Sequence, residues 1–497
     1  MIKEILDLNP NKKVSGSESV KALQLAVYHC SHVLTNCFNK SIAQSIFPNE
    51  LKCADIIPVH KKDSTTSKSN YRPISLLPAV SKVFERLIAK QILSFLETRF
   101  SKFLCGFRKG YNPQYSLLHM LRKWQSSLNN GGRVGAVLMD LSKAFDTLDH
   151  DLLIAKMAAY GFGYHSLKLF QSYLSNRKHR VRIGSFMTEY LEILLGVPQG
   201  SVLGPILFNI FINDLLFSVT ESGICNFADD NTLYACDSSI SDVLERLDYD
   251  LKAVVEWFYH NGMVANPGKF QAIFPGAENK IYVDIGPKKI ESSNQVKLLG
   301  VILDSQLSFY PHVKELCKKA SAKTKALRRI RNYLTQDQAN RLFDTYIMSS
   351  FNYCPLIWMF CSKQAHNLIN STHRRALCAK FNVFSAFLDE LLEEYDSISI
   401  HSKNLKLLMI EVFKSLNHLS PPIMWETFDV KSSVYNLRQG STLVVPQVKS
   451  SQALSHIDFR ATLAWNHLSQ KIKSGNLTEF KASIKKQDIY CKCKHCV

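Results

Sequence analysis

Residues 224–235 have the sequence ICNFADDNTLYA, in which apolar residues flank the acidic pair Asp229 and Asp230. Short apolar runs on both sides of a polar pair are typical of two strands joined by a tight turn. The sequence therefore predicts a β-hairpin with the two aspartates at its turn. An Asp-Asp pair by itself is usually a solvated turn, so the rest of the chain decides what this hairpin means.

A third carboxylate, Asp140, lies near the end of residues 133–141 (RVGAVLMDL). This apolar run follows a Gly-Gly turn and predicts a buried strand. Clustered like charges are costly unless a cation neutralises them, and carboxylates suit hard divalent ions such as magnesium. Asp140, Asp229 and Asp230, with the backbone carbonyl of Leu141, are therefore predicted to hold a pair of metal ions. Such a pair is what phosphoryl transfer requires.

Composition points to a large, basic, globular protein. The 497 residues are 46% apolar and 21% charged, which predicts two to four folded units and argues against disorder. The net charge of +19 favours a polyanionic partner such as nucleic acid over a surface that is basic only for solubility. No apolar stretch reaches the ~18 residues of a membrane span, and the first ten residues lack the apolar segment of a secretory signal. We expect an intracellular protein of the nucleus or a cytoplasmic ribonucleoprotein, with no membrane partner.

Six blocks of the sequence occur in the order and spacing of one known family. The chain resembles the reverse transcriptases of non-LTR, or LINE-type, retrotransposons. The blocks that carry the resemblance are residues 54–77 (ADIIPVHKKDSTTSKSNYRPISLL), 137–148 (VLMDLSKAFDTL), 196–205 (GVPQGSVLGP), 227–230 (FADD), 266–269 (NPGK) and 297–309 (KLLGVILDSQLSF).

The resemblance implies an α+β fold of the right-hand polymerase type, with fingers, a palm built on an antiparallel sheet, and a helical thumb. It divides the chain into residues 1–50 as an N-terminal extension and 51–310 as fingers and palm. Residues 311–400 then form a helical, basic thumb, and 401–497 form a mixed C-terminal region with a Cys-rich tail. In full-length elements of this family an endonuclease precedes the polymerase, and residues 1–50 offer no constellation of catalytic residues of that kind.

The activity implied is RNA-directed DNA polymerisation, with an RNA template, a DNA primer, deoxynucleoside triphosphates and two Mg²⁺ ions, for which Mn²⁺ is an alternative. Three other interpretations stay open. The first is a group II intron maturase or another cellular reverse transcriptase, with the same chemistry. The second is a viral RNA-dependent RNA polymerase, against which Ala228 and Phe145 argue. The third is a decayed, non-catalytic remnant that only binds nucleic acid.

The resemblance also assigns roles to matching residues. Phe145 occupies the steric-gate position that rejects a ribose 2′-hydroxyl, and Gln199 and Gly200 match the loop that contacts the templating base and the incoming nucleotide. The remaining assignments are Asp140, Asp229 and Asp230 as catalytic metal ligands, Arg72 and either Lys61 or Lys62 at the triphosphate, Lys269 as a proton donor to pyrophosphate, and Leu141 and Ala228 as further nucleotide-site residues.

Two features lie outside these blocks. Residues 314–331 carry eight basic side chains against one acid, Glu315, and apolar residues at helical spacing. This pattern predicts a helix with a cationic face at the thumb, where it would contact backbone phosphates. The tail contains Cys491, Cys493, His495 and Cys496 (CKCKHC), which are ligands of zinc type, although so short a cluster does not readily close a tetrahedral shell by itself.

Overall fold

The structure is a computed structural model that describes residues 1–11, 14, 20–61, 64–141, 143–286, 288–430, 442–450, 453–491 and 493. In this described part the α-helices are, in chain order, α1 (Ile2–Leu6), α2 (Val20–Leu25), α3 (Val27–Gln44), α4 (Ala79–Leu96), α5 (Pro113–Asn129), α6 (His150–Ala159), α7 (Tyr164–Leu174), α8 (Gly204–Ile212), α9 (Ile240–His260), α10 (Tyr310–Ile330), α11 (Gln336–Leu342), α12 (Pro355–Trp358), α13 (Lys363–Phe381), α14 (Leu388–Glu394), α15 (Ile400–Leu416), α16 (Ile457–His467), α17 (Gln470–Lys473) and α18 (Leu477–Lys485).

The β-strands of the same described residues are β1 (Cys53–His60), β2 (Tyr71–Leu76), β3 (Arg133–Asp140), β4 (Arg177–Ile183), β5 (Phe186–Met187), β6 (Leu191–Ile193), β7 (Gly223–Phe227), β8 (Asp230–Asp237), β9 (Gln271–Ile273), β10 (Tyr282–Ile285), β11 (Lys288–Glu291), β12 (Gln295–Leu298) and β13 (Val301–Asp304).

The chain forms two compact units, each drawn from three separate segments. The first unit contains Met1–Phe107, Asp140–Thr220 and Lys252–Gly268. The second contains Arg108–Met139, Glu221–Leu251 and Lys269–Val497.

The first unit is built on a sheet in which β1 lies between β2 and β4. β1 pairs antiparallel with β2 and parallel with β4. Asp55 of β1 is 1% exposed and accepts a 2.8 Å hydrogen bond from Arg180 Nε of β4. A buried carboxylate is tolerated only when it is paired, so this ion pair accounts for an acid in an otherwise apolar strand.

The second unit contains a sheet with the strand order β7-β8-β3-β9. β3 is buried from Val134 to Met139, as expected for an apolar run covered on both faces, and the predicted strand is confirmed. α9 packs closely over this strand. A Cβ at Gly135 would lie 2.8 Å from Val243 Cγ1 and 2.5 Å from Phe274 Cε1, so no larger side chain fits there without displacement.

The rest of the second unit is mainly helical. α10 packs against α13 through its apolar face and confirms the helix predicted over residues 314–331. α15, α16 and α18 share a core in which Phe480 stacks on Phe413 at 4.4 Å and lies 5.8 Å from Trp465. Within the described residues, no helix is both long enough and apolar enough to cross a bilayer.

Candidate active site

The hairpin of β7 and β8 presents the acidic pair. Phe227 pairs with Asp230, so the turn consists of Ala228 and Asp229, one residue earlier than the sequence suggests. Ala228 has φ +59°, a left-handed conformation that is unusual outside glycine and marks a sharp turn. The side chains of Asp229 and Asp230 are exposed. The turn therefore directs both carboxylates toward solvent while the strands behind it are buried.

Two buried asparagines hold this turn in shape. Asn226 Nδ2 donates to Ala228 O at 2.7 Å and to Asn231 Oδ1 at 2.9 Å. Asn231 Nδ2 donates to Asp229 O at 3.3 Å. Both side chains are almost fully buried. The sequence analysis missed them, although a polar residue on each side of FADD, inside apolar strands, is a detectable signal.

β3 lies beside β8 in the sheet, and it ends at Asp140. The Asp140 side chain is partly exposed, whereas Leu141 is 4% exposed and its backbone bridges to Ala265. The strand order thus makes the strand that begins at Asp230 the neighbour of the strand that ends at Asp140.

Phe145 follows β3 in the first unit and is half-buried. Its ring stacks on Phe208 of α8 with centroids 4.6 Å apart, and Phe107 meets it edge-on at 5.6 Å. Its backbone oxygen accepts a 2.8 Å hydrogen bond from Val197 N. Because aromatic neighbours and the backbone both restrain it, the ring has a fixed orientation.

The loop at residues 196–205 is attached to β2. Gln199 O accepts a 2.7 Å hydrogen bond from Ser75 N. Gly200 has φ +131°, and a Cβ there would lie 2.5 Å from Ser75 O. Only glycine combines this backbone conformation with so close an approach. The predicted glycine is therefore required by the contact between the loop and β2.

Glu85 of α4 holds the loop at residues 196–205 through hydrogen bonds to its backbone. Its Oε2 accepts hydrogen bonds from Val202 N at 2.6 Å and from Leu203 N at 3.1 Å. The side chain is fully buried, and this burial raises the pKa of Glu85 above its ordinary value. These N–H groups precede α8, so the carboxylate stands near the start of that helix. The sequence analysis missed Glu85, a charged residue on the buried face of an amphipathic helix.

Asp146 is a further acid that the sequence analysis missed. It accepts a 2.9 Å hydrogen bond from Gln199 Nε2. Burial raises the pKa of Asp146, while that hydrogen bond and the charges of Lys143 and Lys61 act in the opposite direction. Asp146 therefore brings two predicted nucleotide-site residues, Gln199 and Lys61, into one electrostatic environment.

Lys61 and Arg72 lie on one face of the β1–β2 hairpin. Arg72 pairs with Val59, and Lys61 N donates to Asn70 O at 2.8 Å, so the two cationic side chains occupy diagonal positions across the ladder. Both are exposed. The alternative residue Lys62 lies outside the described residues, as do His495 and Cys496 of the tail.

Lys269 is exposed at the end of the 3₁₀ turn Pro267–Lys269, just before β9. Tyr353 interacts electrostatically with Asp230 of the acidic turn, which the sequence analysis did not anticipate. Its hydroxyl donates to Leu299 O at 2.6 Å. Burial raises the pKa of Tyr353 to about 12, and the charge of Asp230 adds to this effect. Tyr353 thus brings the helical C-terminal segment within electrostatic reach of the acidic turn.

α10 presents a cationic face. Lys314, Lys318, Lys319, Lys325, Arg328 and Arg329 are exposed, whereas Leu316, Ala320 and Leu327 are buried against the core. Lys319 pairs with Glu315, and Arg328 Nη2 donates to Phe384 O at 3.4 Å. Two further basic residues of the eight are also engaged. Lys323 Nζ donates to Ser350 Oγ at 2.9 Å, and Arg331 Nε donates to Lys380 O at 2.8 Å.

Comparison with known proteins defines the class of this fold and site. Residues 59–303 match the profile of the family described as "Reverse transcriptase (RNA-dependent DNA polymerase)". The matched range includes every residue predicted for the active site. The protein therefore contains a reverse transcriptase domain, with the α+β, right-hand polymerase fold expected from the sequence.

Proteins of similar sequence include RNA-directed DNA polymerases of Drosophila mobile elements. The probable RNA-directed DNA polymerase from transposon BS of Drosophila melanogaster is 27% identical over 399 residues, covering 76% of this chain and 44% of that protein. The RNA-directed DNA polymerase from mobile element jockey of the same species is 28% identical over 332 residues, covering 63% and 36%. These matches confirm the resemblance to the reverse transcriptases of non-LTR, LINE-type retrotransposons, and the chain spans less than half the length of these relatives.

Among solved structures, telomerase from Candida albicans in complex with a fragment of telomeric RNA has a TM-score of 0.36 and 12% sequence identity. The aligned region covers 83% of this chain and 71% of the telomerase chain.

Proposed function

We propose that this chain is an RNA-directed DNA polymerase that adds deoxynucleotides to a primer 3′-hydroxyl. The observation that carries the proposal is the strand order β7-β8-β3. It makes neighbours of the hairpin that presents Asp229 and Asp230 and the strand that ends at Asp140. Carboxylates at the ends of neighbouring strands are oxygen ligands of the kind that phosphoryl transfer requires, and this supports the proposal.

Asp140, Asp229 and Asp230 are the residues that would hold two Mg²⁺ ions, with the carbonyl of Leu141 as a further oxygen. The donor set fits, because carboxylate and carbonyl oxygens are the ligands that hard divalent ions prefer, and Mn²⁺ accepts the same set. When bound, the ions would lower the barrier by stabilising the charge on the attacking and leaving oxygens.

Phe145 would select deoxyribose over ribose. Its ring is restrained by Phe208 and Phe107, so it cannot easily rotate to admit a 2′-hydroxyl. A rigid apolar ring also offers that hydroxyl no hydrogen bond. Gln199 and Gly200 would contact the base pair being formed, with Asp146 orienting the Gln199 amide through its 2.9 Å hydrogen bond.

The triphosphate would bind to Arg72 and Lys61, or Lys62 in place of Lys61. Guanidinium suits bidentate contact with phosphate, and an ammonium adds a point charge. Lys269 would donate a proton to the departing pyrophosphate, as a positioned ammonium can. The RNA template and DNA primer would lie on the cationic face of α10, and the protein would work in the nucleus or in a cytoplasmic ribonucleoprotein.

Primer extension tests this proposal. The purified chain is given an RNA template, a DNA primer, the four deoxynucleoside triphosphates and Mg²⁺, and we expect DNA synthesis that Asp229→Asn abolishes. Asp284→Asn is the matched control, since Asp284 is an exposed acid on β10 with only a surface ion pair to Lys289. Synthesis by Asp229→Asn at the control's rate would refute the metal-ligand assignment. Inactivity of the wild type together with retained nucleic-acid binding would favour the non-catalytic remnant.

A further inference from the structure

Three ligands of zinc type converge in the C-terminal part of the second unit. His401 lies in the first turn of α15, and Cys491 and Cys493 follow α18. The three are 6%, 0% and 2% exposed. His401 Nε2 lies 3.3 Å from Cys493 Sγ and 4.0 Å from Cys491 Sγ, and all three ligand atoms lie within 4.8 Å of one another.

These separations match a zinc site. With Zn–S of about 2.3 Å and Zn–N of about 2.0 Å in a tetrahedron, a sulfur and a nitrogen lie about 3.5 Å apart. The two distances from His401 Nε2 bracket this value. One imidazole nitrogen can hydrogen-bond well with one thiol, but a shared metal ion accounts for both sulfurs facing the same nitrogen.

The charge of the site and the chemical softness of its ligands also favour zinc. A zinc ion with two thiolates and a neutral imidazole has no net charge, which suits ligands that are buried. Thiolate ligands favour zinc over the magnesium that carboxylates bind, so this cluster would not compete for the polymerase ions. Arg460 Nη1 donates to Cys491 O at 3.4 Å, which restrains the backbone that carries the first sulfur.

We propose that His401, Cys491 and Cys493 hold a structural zinc ion that joins the C-terminal segment to α15. Within the sequence, His401 lies 92 residues before Cys493, so the site differs from one closed by the tail alone. The ion would fasten the segment that leaves α18, beyond the point where Phe480 stacks on Phe413.

The metal content of the full chain, purified under reducing conditions, tests the proposal. We expect about one zinc per chain in the wild type and, after cobalt substitution, the absorption of thiolate-bound cobalt. His401→Ala and Cys493→Ser should lose zinc to a chelator at least about tenfold faster. The matched control is Cys378→Ser, which changes a buried free cysteine of α13 and should retain zinc.

The variant His401→Cys distinguishes loss of a metal ligand from misfolding. Because a thiolate can replace the imidazole as a ligand, His401→Cys should retain the zinc that His401→Ala loses. Wild-type protein without zinc, or a disulfide between Cys491 and Cys493 in that protein, would overturn the proposal. Full zinc retention by His401→Ala would overturn the role of His401 and leave a site closed by the tail alone. Asp229→Asn should keep its zinc, which separates this site from the polymerase function.

Discussion

At the scale of single residues, the side chains of the proposed nucleotide site in the first unit restrain one another. Phe145 is packed against Phe208 and Phe107, and Gln199 is bound to Asp146. Such restraint matters because a group that selects between substrates must keep its position when the wrong substrate arrives. We therefore expect the selectivity of the proposed site to depend on these supporting residues as well as on those that would touch the nucleotide.

Replacing Phe145 by valine should relax the selection against ribonucleotides. The smaller side chain leaves space for the 2′-hydroxyl, and a pocket change of this size alters discrimination by about 10- to 200-fold. The measurement is the ratio of kcat/KM for a deoxynucleotide to that for the matching ribonucleotide. Phe208→Leu, which removes only the stacking partner, should have a smaller effect, and an unchanged ratio in Phe145→Val would contradict the gate.

At the scale of elements, helices carry the residue that anchors a loop and the residues proposed to contact phosphates. α4 places Glu85 beneath the loop at residues 196–205, where its carboxylate binds two backbone N–H groups. α10 buries one face against α13 and exposes lysines and arginines on the other. In both helices apolar spacing sets the buried face. The basic residues of α10 lie on its exposed face, whereas Glu85 lies on the buried face of α4.

Glu85 should make the stability of the protein depend on pH. Burial raises its pKa above the ordinary 4.5, so the folded state keeps a proton that the unfolded chain has released. The free energy of unfolding that Glu85 contributes therefore falls as the pH rises from 4.5 toward the folded-state pKa, and is constant above it. Urea unfolding across this range should show the wild type losing stability relative to Glu85→Gln. A constant difference would contradict this, and exposed Glu189→Gln serves as the control.

Removing two charges from α10 should weaken binding to a template–primer duplex without changing its sequence preference. Lys325 and Arg329 lie one turn apart on the exposed face. If each contacts a phosphate, the double alanine variant should reduce the slope of log K against log salt by about 2. Fluorescence anisotropy over a salt series measures this slope. The control is the double alanine variant at Lys288 and Lys289 of β11. Equal salt slopes for the two double variants would show that α10 does not contact the duplex.

At the scale of the whole molecule, each compact unit combines segments that are distant in sequence. In the second unit, α5 is bound at three points to segments that come much later in the chain. Leu356 N donates to Gln114 Oε1 at 3.1 Å, Tyr115 donates to Glu411 at 2.5 Å, and Arg122 Nε donates to Asp458 at 2.6 Å. The C-terminal region is thus part of a folded unit that also contains β3 and the β7–β8 hairpin.

Glu411→Ala should therefore destabilise the unit that carries the acidic turn, although the residue lies in the C-terminal region. Tyr115 is 4% exposed, and its hydroxyl would lose its acceptor, at a cost of about 1–3 kcal/mol. Thermal unfolding of the full chain measures the loss. Adding Tyr115→Phe should restore part of it, because the orphaned hydroxyl is removed with its partner. A double variant no more stable than Glu411→Ala would show that this hydrogen bond is not the cause.

Several features of this protein follow from sequence alone because they depend on neighbouring residues. The hairpin at FADD, the buried strand that ends at Asp140 and the basic helix α10 each come from a local pattern of apolar spacing and turn residues. The predicted turn lies one residue too late in the chain. Its true position depends on the cross-strand register, in which Asn226 pairs with Asn231.

Tertiary structure alone decided the contacts between distant segments. No local pattern links Glu85 to the N–H groups of residues 202 and 203, or Asp146 to Gln199. The tail shows this most clearly. Its cysteines suggested a metal, but its own residues are too close together to complete a shell readily, and only the packing of the C-terminal helices brings His401 to them. Sequence specifies which ligands exist, whereas the folded chain determines which of them meet, because that depends on the packing of whole elements.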